Sequence, residues 1–242
     1  MVSKSNLTDI DVLILCGGFG SRLAGLINYM PKALARIRGL AFIDILINYI
    51  AGFGFKRFIL CTGYKGDLIE RYYTAKKQGS SGIVFSREET PLGTAGAIKN
   101  AQRRLKNKGP LLVCNGDSFC RLDLARFLNF HITKNALTSM ALLRSTNLKG
   151  SGVVTVNKNN EITRFNEKPE LEKSGLINAG IYFMEREALS MIPFGKEFSL
   201  EYNLFPYLIG KSFYGYITRS GLIDIGTPRG YRTAQRALLN KR

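Results

Sequence analysis

The sequence predicts an α/β fold, with helices on both sides of a doubly wound, mixed and mainly parallel sheet. Apolar segments of strand length alternate with helical patterns over the first half of the 242-residue chain, which is the order expected of parallel strands joined by crossover helices. The first apolar segment also runs directly into a glycine-rich turn. A composition of 45% hydrophobic and 22% charged residues is typical of a globular domain.

The elements of the first half are predicted from this alternation. Strands are expected at 11–16, 57–61, 83–86 and 110–114, with helices at 41–51, 67–76 and 93–105 between them. Right-handed crossovers place the loops that follow parallel strands at one edge of the sheet, where ligands bind. We therefore expect the glycine-rich turn and Asn115-Gly-Asp117 to meet at this edge.

The second half is predicted to be more antiparallel. After a helix at 123–133, short β-rich segments occur at 138–144, 152–156, 162–165 and 177–183, and helices are predicted at 186–191, 200–209 and 229–239. The sequence has no linker-like stretch and no internal repeat, and no hexapeptide repeat follows Asp224. A single domain without a C-terminal β-helix is expected, with halves at about 11–120 and 121–242.

Charge and targeting signals limit the possible classes of protein. The formal net charge is +17, but the basic residues are scattered and no nucleic-acid-binding motif accompanies them, so we expect no nucleic acid partner. Polyanionic substrates and an acidic partner both remain open explanations of the charge. No apolar run approaches the ~18 residues of a membrane span, and no secretory signal is recognisable. A cytoplasmic protein is expected, and a homo-oligomer stays open.

The cysteines and the single histidine exclude several catalytic classes. The four cysteines form no C-x-x-C pair, so a zinc site is not expected, and three of them sit in or beside apolar strands, where we expect them to be buried. His131 is the only histidine, which removes Ser-His-Asp and Cys-His chemistry. We expect His131 itself to lie on the surface, at the end of a polar helix.

The glycine-rich turn has the chemistry of a phosphate-binding loop. Gly17, Gly18 and Gly20 lack a Cβ, so their N–H groups can approach phosphate oxygens closely, and Arg22 and Lys32 follow with positive charge. The spacing fits neither the P-loop nor the dinucleotide-binding fingerprint. A plain turn between a strand and a helix is the alternative.

The longer string Gly17-Gly-Phe-Gly-Ser-Arg-Leu23, followed by Pro31-Lys32, resembles the signature of the sugar-1-phosphate nucleotidyltransferases. Ser21, Gly25 and Ala33 depart from that pattern without removing a charged group. The resemblance implies a Rossmann-like, glycosyltransferase-A-like nucleotidyltransferase fold. It also implies that Ser21 and the three loop glycines bind a nucleoside triphosphate.

Asp117 is the candidate metal ligand, at the end of the apolar segment 111–114. Mg²⁺ prefers carboxylate and phosphate oxygens, so one or two aspartates and a triphosphate can complete its shell. Asp224, in Leu222-Ile-Asp-Ile-Gly226, resembles the second metal ligand of the family. A turn or capping role for Asp117 and a plain edge strand around Asp224 are the alternatives.

The string from Glu88 to Gly96 resembles the nucleobase-binding segment of the family. Gly93 is expected to pack against the base, with Leu15 and Gly17 lining the same pocket. The Glu88 carboxylate can only accept hydrogen bonds, which suits the N–H donors of guanine without excluding uracil or thymine. A solvated turn is the structural alternative for Glu88 and Glu89.

The sugar-phosphate half of the site is assigned by resemblance to two further motifs. They supply Glu167 and Asn178 for sugar hydroxyls, Lys168 for the monoester phosphate and Gly152 for close backbone approach. In the implied reaction a sugar 1-phosphate oxygen attacks the α-phosphorus of the nucleotide and pyrophosphate leaves, with no general base. Lys32 is expected near the reacting phosphates and Arg22 on the departing pyrophosphate.

Within the family, the motifs most resemble those of the D-glycero-α-D-manno-heptose 1-phosphate guanylyltransferases. This implies GTP as the donor and a cell-surface polysaccharide as the destination of the product. A uridylyl- or thymidylyltransferase for a hexose 1-phosphate is the nearest alternative. A non-catalytic sugar-nucleotide sensor, or a basic nucleic-acid-binding protein with this fold, is an alternative of another class.

Overall fold

A computed structural model describes residues 7–18, 30–76, 82–148, 150–167 and 174–238. Within these ranges the chain forms a nine-stranded mixed sheet flanked by helices. Its strands are β1 (Asp11–Leu15), β4 (Arg57–Thr62), β5 (Ile83–Arg87), β6 (Leu111–Asn115), β8 (Thr138–Ser145), β9 (Val153–Val156), β10 (Ile162–Asn166), β11 (Gly175–Met184) and β12 (Phe213–Thr218). The main path through the sheet runs β10-β9-β11-β6-β1-β4-β5, while β8 pairs with β11 and β12 with β8.

The first half of the chain forms the predicted parallel part of the sheet. β1 lies parallel to both β4 and β6, and β4 lies parallel to β5. Val12, Leu13 and Ile14 are completely buried, as expected for a parallel strand covered on both faces. The crossover helices are α1 (Phe42–Ala51), α2 (Gly66–Ala75) and α3 (Gly93–Ala101). Leu15 of β1 stands opposite Asn115 of β6, so the loops after these two strands share one edge.

The second half is mostly antiparallel, and the predicted fold class is confirmed. β11 runs antiparallel to β6, β8 and β9, whereas β12 is parallel to β8. Two small sheets complete the strands, a hairpin of β2 (Arg36–Ile37) with β3 (Leu40–Ala41) and a pair formed by β7 (Ser118–Cys120) and β13 (Leu222–Asp224). The remaining α-helices are α4 (Leu124–Thr133), α5 (Phe205–Leu208) and α6 (Pro228–Ala237).

Three predicted helices differ in detail from the observed ones. The helix predicted at 186–191 is a 3₁₀ helix, Arg186–Met191. The helix predicted at 93–105 changes to a 3₁₀ turn at Gln102–Arg104. The helix predicted at 200–209 begins as a π-helical turn, Leu200–Leu204, and continues as α5. Pro206 has no N–H to donate to the carbonyl of Tyr202, so a regular α-helix cannot pass through this segment with all its bonds intact.

The prediction of a surface position for His131 is wrong. The side chain is 1% exposed, because His131 lies on the same face of α4 as Leu124, Phe127 and Leu128 and packs with them against the sheet. Its Nδ1 lies 2.8 Å from Ser139 Oγ and its Nε2 lies 3.2 Å from Glu185 Oε1. The histidine is therefore a hydrogen-bonded core residue.

All four cysteines are free and buried, which confirms the structural role predicted for three of them. Burial, reinforced by the nearby Glu88, raises the pKa of the Cys61 thiol to about 12. In the described part of the chain, no helix is both long enough and apolar enough to cross a membrane.

Candidate active site

A cleft of about 340 Å³ opens at the carboxyl ends of β1, β4 and β6. Seven of the predicted site residues line it, namely Leu15, Gly17, Gly18, Lys32, Glu88, Gly93 and Asp117. Gly20, Ser21, Arg22 and Lys168 lie outside the described residues. The cleft is also lined by Asn115 and Thr94, which lie in predicted motifs but were given no role of their own, and by Glu197, which the sequence analysis did not mention.

Three charged side chains converge at one end of this cleft. Lys32 Nζ lies 3.2 Å from Asp117 Oδ2, with the lysine side chain 14% exposed. A Cβ at Gly226 would lie 2.8 Å from Asp224 Oδ1, 3.2 Å from Lys32 Nζ and 3.3 Å from Asp117 Oδ2. A side chain at this position would displace the charged groups, and the two aspartates predicted as metal ligands are neighbours.

The pairing of β13 with β7 brings Asp224 to this position. In the antiparallel register Asp224 stands opposite Ser118, the residue after Asp117, and the Ile225 N–H donates to the Asp117 carbonyl at 2.9 Å. The Gly226 N–H donates to Asp224 Oδ1 at 2.6 Å, which orients that carboxylate. Asp224 therefore lies at the edge of the cleft because of the two-stranded sheet of β7 and β13, which is separate from the main sheet.

Glu88 forms part of the opposite wall of the cleft, directly after β5. Its Oε2 accepts from the Leu92 N–H at 3.3 Å, and a Cβ at Gly17 would lie 3.0 Å from its Oε1. A Cβ at Gly63 would collide with the same oxygen, so this position requires glycine while the carboxylate is there. Burial raises the pKa of the Glu88 carboxyl above its ordinary value, and the Leu92 hydrogen bond partly opposes that shift.

Gly93 begins α3 with a left-handed backbone and close to a distant segment. Its φ is +70°, and a Cβ there would lie 2.8 Å from the Phe198 carbonyl oxygen. That oxygen accepts from the Ala95 and Gly96 N–H groups, each at 2.9 Å. The segment around Phe198 thus satisfies the first turn of α3, whose N–H groups have no partner within the helix.

A Gly93→Ala substitution is expected to destabilise the protein. The left-handed backbone alone costs about 1–2 kcal/mol for a residue with a Cβ, and contact with Phe198 adds to this. Gly210 supplies a matched control, because its φ is +80° and a Cβ there would meet nothing within 4 Å. Urea unfolding should show a larger decrease in the free energy of unfolding for Gly93→Ala than for Gly210→Ala. Equal losses would mean that the Phe198 approach is unimportant.

The predicted sugar-phosphate residues Gly152, Glu167 and Asn178 are also brought together. The Asn178 N–H donates to the Gly152 carbonyl at 2.9 Å, and a Cβ at Gly152 would lie 2.8 Å from Glu167 Oε2. The Asn178 side chain donates from Nδ2 to the Tyr182 hydroxyl at 2.7 Å and accepts at Oδ1 from the Gly180 N–H at 2.8 Å. Its amide therefore keeps one hydrogen and one lone pair for another partner.

A hydrogen-bond network between Thr94 and Glu201 was missed at the sequence level. Thr94 Oγ1 donates to Glu201 Oε2 at 2.8 Å and accepts from the Leu200 N–H at 2.7 Å. Ser199 Oγ donates to the same glutamate oxygen at 2.8 Å. A serine two residues before a glutamate at the start of a predicted helix is a capping signal, but it does not indicate that Thr94 is the partner.

The comparison with known proteins identifies the family. A model of the family described as Nucleotidyl transferase matches residues 11–241. The chain belongs to the nucleotidyl transferase family. The resemblance identified in the sequence is therefore confirmed, and with it the enzyme class.

Two curated relatives show the range of family members that this chain resembles. It is 34% identical over 230 residues to D-glycero-alpha-D-manno-heptose 1-phosphate guanylyltransferase of Aneurinibacillus thermoaerophilus, covering 95% of this chain and 98% of that protein. It is 35% identical over 225 residues to mannose-1-phosphate guanylyltransferase of Mycobacterium tuberculosis, covering 92% of this chain but only 62% of the relative.

Solved structures agree on the fold. HddC from Yersinia pseudotuberculosis, crystallised in complex with GMP-PN, matches with a TM-score of 0.81 at 30% identity, covering 94% of this chain and 98% of that one. A putative glucose-1-phosphate thymidylyltransferase from Bacillus anthracis matches with a TM-score of 0.83 at 19% identity, covering 96% of each chain, and supports the fold alone.

Proposed function

We propose that this protein transfers a guanylyl group from GTP to a sugar 1-phosphate, with D-glycero-α-D-manno-heptose 1-phosphate as the favoured acceptor. The observation that carries the proposal is the convergence of Lys32, Asp117 and Asp224 on Gly226, at one end of the cleft that holds Glu88 and Gly93. A site with this arrangement can bind a polyanion and a cation together. The relatives that span the whole chain support the choice of guanine and heptose.

The carboxylates fit a divalent cation that takes most of its ligands from the substrate. The described residues contain no group of three or more His, Cys, Asp or Glu that would hold a metal, whereas two carboxylates together suit Mg²⁺ bound to phosphate oxygens. We propose Asp117 and Asp224 as its ligands. When bound, Mg²⁺ would neutralise phosphate charge and so favour attack at the α-phosphorus.

The protein groups then act by alignment and charge neutralisation. A phosphate monoester is a nucleophile at neutral pH, so its oxygen attacks the α-phosphorus in line without a general base. Lys32 stabilises the reacting phosphates, Arg22 the departing pyrophosphate and Lys168 the attacking monoester. Gly17, Gly18, Gly20 and Ser21 bind the nucleotide phosphates in this proposal.

The strand order supports a division of the site into two halves. β6, β1, β4 and β5 are contiguous in the main path of the sheet, and β11, β9 and β10 follow on the other side of β6. We propose that residues of about 11–120 bind the nucleotide, with the base between Leu15, Glu88 and Gly93. Residues of about 121–242 bind the sugar phosphate through Gly152, Glu167, Lys168 and Asn178. The reacting phosphates lie between them, at the end of β6.

We propose a cytoplasmic location, because the four free thiols suit a reducing compartment. The nucleotide-sugar product would supply a polysaccharide glycosyltransferase.

The purified protein is expected to release pyrophosphate when it is given GTP, Mg²⁺ and D-glycero-α-D-manno-heptose 1-phosphate. Release should require both substrates and should stop in EDTA. A panel of GTP, UTP and dTTP with heptose, mannose and glucose 1-phosphates, measured as kcat/KM, tests the specificity. A higher kcat/KM with UTP or dTTP and glucose 1-phosphate would establish the alternative transferase. Full activity in EDTA would contradict the metal assignment.

A further inference from the structure

The segment 199–208 belongs to the second half of the chain but contacts residues near both the proposed nucleotide site and the proposed sugar-phosphate site, and we term it the bridging segment. It comprises Ser199, the π-helical turn Leu200–Leu204 and α5. Single π-helical turns occur frequently at functional sites. None of the motifs assigned to nucleotide binding or to sugar-phosphate binding includes this segment.

The start of the bridging segment is hydrogen-bonded to the nucleotide half. Glu201 Oε2 accepts from both Thr94 Oγ1 and Ser199 Oγ, each at 2.8 Å, and Thr94 follows Gly93 directly. Because the hydroxyl of Thr94 also accepts from the Leu200 N–H, its orientation is fixed from both sides. Thr94 lines the cleft, so Glu201 is hydrogen-bonded to a residue of the cleft wall.

The end of the bridging segment packs against the sugar-phosphate half. The Phe205 ring centroid lies 5.1 Å from that of Tyr182 and 5.2 Å from that of Phe165. Tyr182 accepts from the Asn178 amide, and a Cβ at Gly152 would lie 2.7 Å from the Phe165 ring. These two rings therefore support the residues proposed to bind the sugar phosphate.

Glu201 is also electrostatically close to Tyr182. Burial raises the pKa of the Tyr182 phenol well above its ordinary range, and the Glu201 carboxylate adds to that shift. The protonated phenol accepts from the Asn178 amide at 2.7 Å, and its ring packs against Phe205 of the bridging segment.

We propose that Glu201 is a positioning residue that sets the geometry of both half-sites through the bridging segment, an inference that rests on the proposed function. It touches neither the base nor the reacting phosphates. It acts directly on Thr94 on the nucleotide side. On the sugar side it acts by anchoring the start of the bridging segment, whose Phe205 packs against Tyr182 and so supports Asn178. Its removal should therefore weaken the apparent binding of both substrates, whereas removal of one downstream group should weaken only one.

The test compares four variants by steady-state kinetics, varying each substrate at saturation of the other. Glu201→Ala removes the shared acceptor and is expected to raise KM about tenfold for both GTP and the sugar phosphate, since a hydrogen bond to a charged group contributes about that factor in affinity. In Glu201→Gln the amide oxygen can still accept from Thr94 and Ser199. Both KM values should therefore stay within about threefold of the wild type.

The other two variants separate the two arms. Thr94→Val should raise KM for GTP alone, and Tyr182→Phe should raise KM for the sugar phosphate alone. Because effects through a shared partner are not additive, Glu201→Ala with Thr94→Val should have the GTP KM of the more impaired single variant. Thermal unfolding confirms that each variant is folded. If Glu201→Ala does not fold, Glu201→Asp, which draws the carboxylate away from Thr94 and Ser199, replaces it, and the same rise of both KM values is expected.

The proposal fails if Glu201→Ala changes KM for only one substrate, lowers kcat with both KM values unchanged, or has no effect. It also fails if Thr94→Val and Tyr182→Phe impair the same substrate. Calorimetric titration of the wild type with GTP separates this from failure of the proposed function. A wild-type protein that binds GTP yet releases no pyrophosphate with any sugar phosphate would refute the function, whereas an active wild type with the wrong KM pattern refutes only the role of Glu201.

Discussion

Replacement of Asp117 by Asn is expected to lower kcat by about two orders of magnitude or more, the range found when a group that stabilises transition-state charge is lost. The amide removes one of the two carboxylates beside Gly226 and leaves Lys32 without its ion-pair partner. Both changes alter the charge at the position where the proposed phosphates react. The side chain keeps its size, so the fold should persist.

The measurement is kcat as a function of Mg²⁺ concentration, with thermal unfolding recorded in parallel. The variant should need more Mg²⁺ for half-maximal activity as well as turning over more slowly. Asp67→Asn is a suitable control, because the side chain of that aspartate is 41% exposed and pairs only with its helical neighbour Arg71 among the residues described. If Asp117→Asn behaved like the Asp67 variant, Asp117 would be a turn residue and not a metal ligand.

The parts of the site that follow parallel strands could be predicted from sequence. The apolar runs of β1 and β6 end at Gly17 and Asp117, and the rule that such ends share one edge places these residues together. In the observed register Leu15 stands opposite Asn115, so the residues that follow these two strands lie next to each other. Glu88 and Gly93 reach the same cleft because β5 ends at the same edge.

The parts of the site that depend on long-range pairing could not be predicted in this way. Asp224 stands beside Asp117 because two strands of three residues each, β7 and β13, pair across about a hundred residues of chain, and strands this short carry no local pattern. The family resemblance indicated Asp224 as a metal ligand. The residues next to it in the sequence gave no physical reason to place it beside Asp117. Thr94 and Glu201 are separated by 107 positions, and no resemblance pointed to that contact.

His131 shows a different limit of sequence reasoning. Its helix has a polar face and an apolar face, and one histidine at the boundary can belong to either. The partners Ser139 and Glu185 lie on and just beyond strands that the sequence could not place against α4. A buried histidine is stabilised when such partners satisfy its two nitrogens, so the burial of His131 depends on tertiary contacts.

The second large effect is expected at Glu88, which we propose reads the guanine base. In Glu88→Gln the amide oxygen is expected to keep the hydrogen bond from the Leu92 N–H, which the carboxylate now accepts. The N–H₂ group then faces the cleft, where an N–H donor of guanine would have no acceptor. An unpaired buried group costs about 1–3 kcal/mol, which corresponds to roughly a five- to hundredfold loss of kcat/KM for GTP.

The kcat/KM values for UTP and dTTP should decrease less than that for GTP, because the new N–H₂ can donate to a carbonyl oxygen of the pyrimidine. The preference for GTP over UTP should therefore fall in Glu88→Gln and stay unchanged in Glu89→Gln, which removes the same charge from the exposed adjacent residue. Both nucleotides are to be measured with one sugar phosphate on the wild type and on each variant. A GTP-to-UTP ratio that is the same in Glu88→Gln as in the wild type would mean that Glu88 does not read the base, and guanine selection would then have to come from other residues of the cleft.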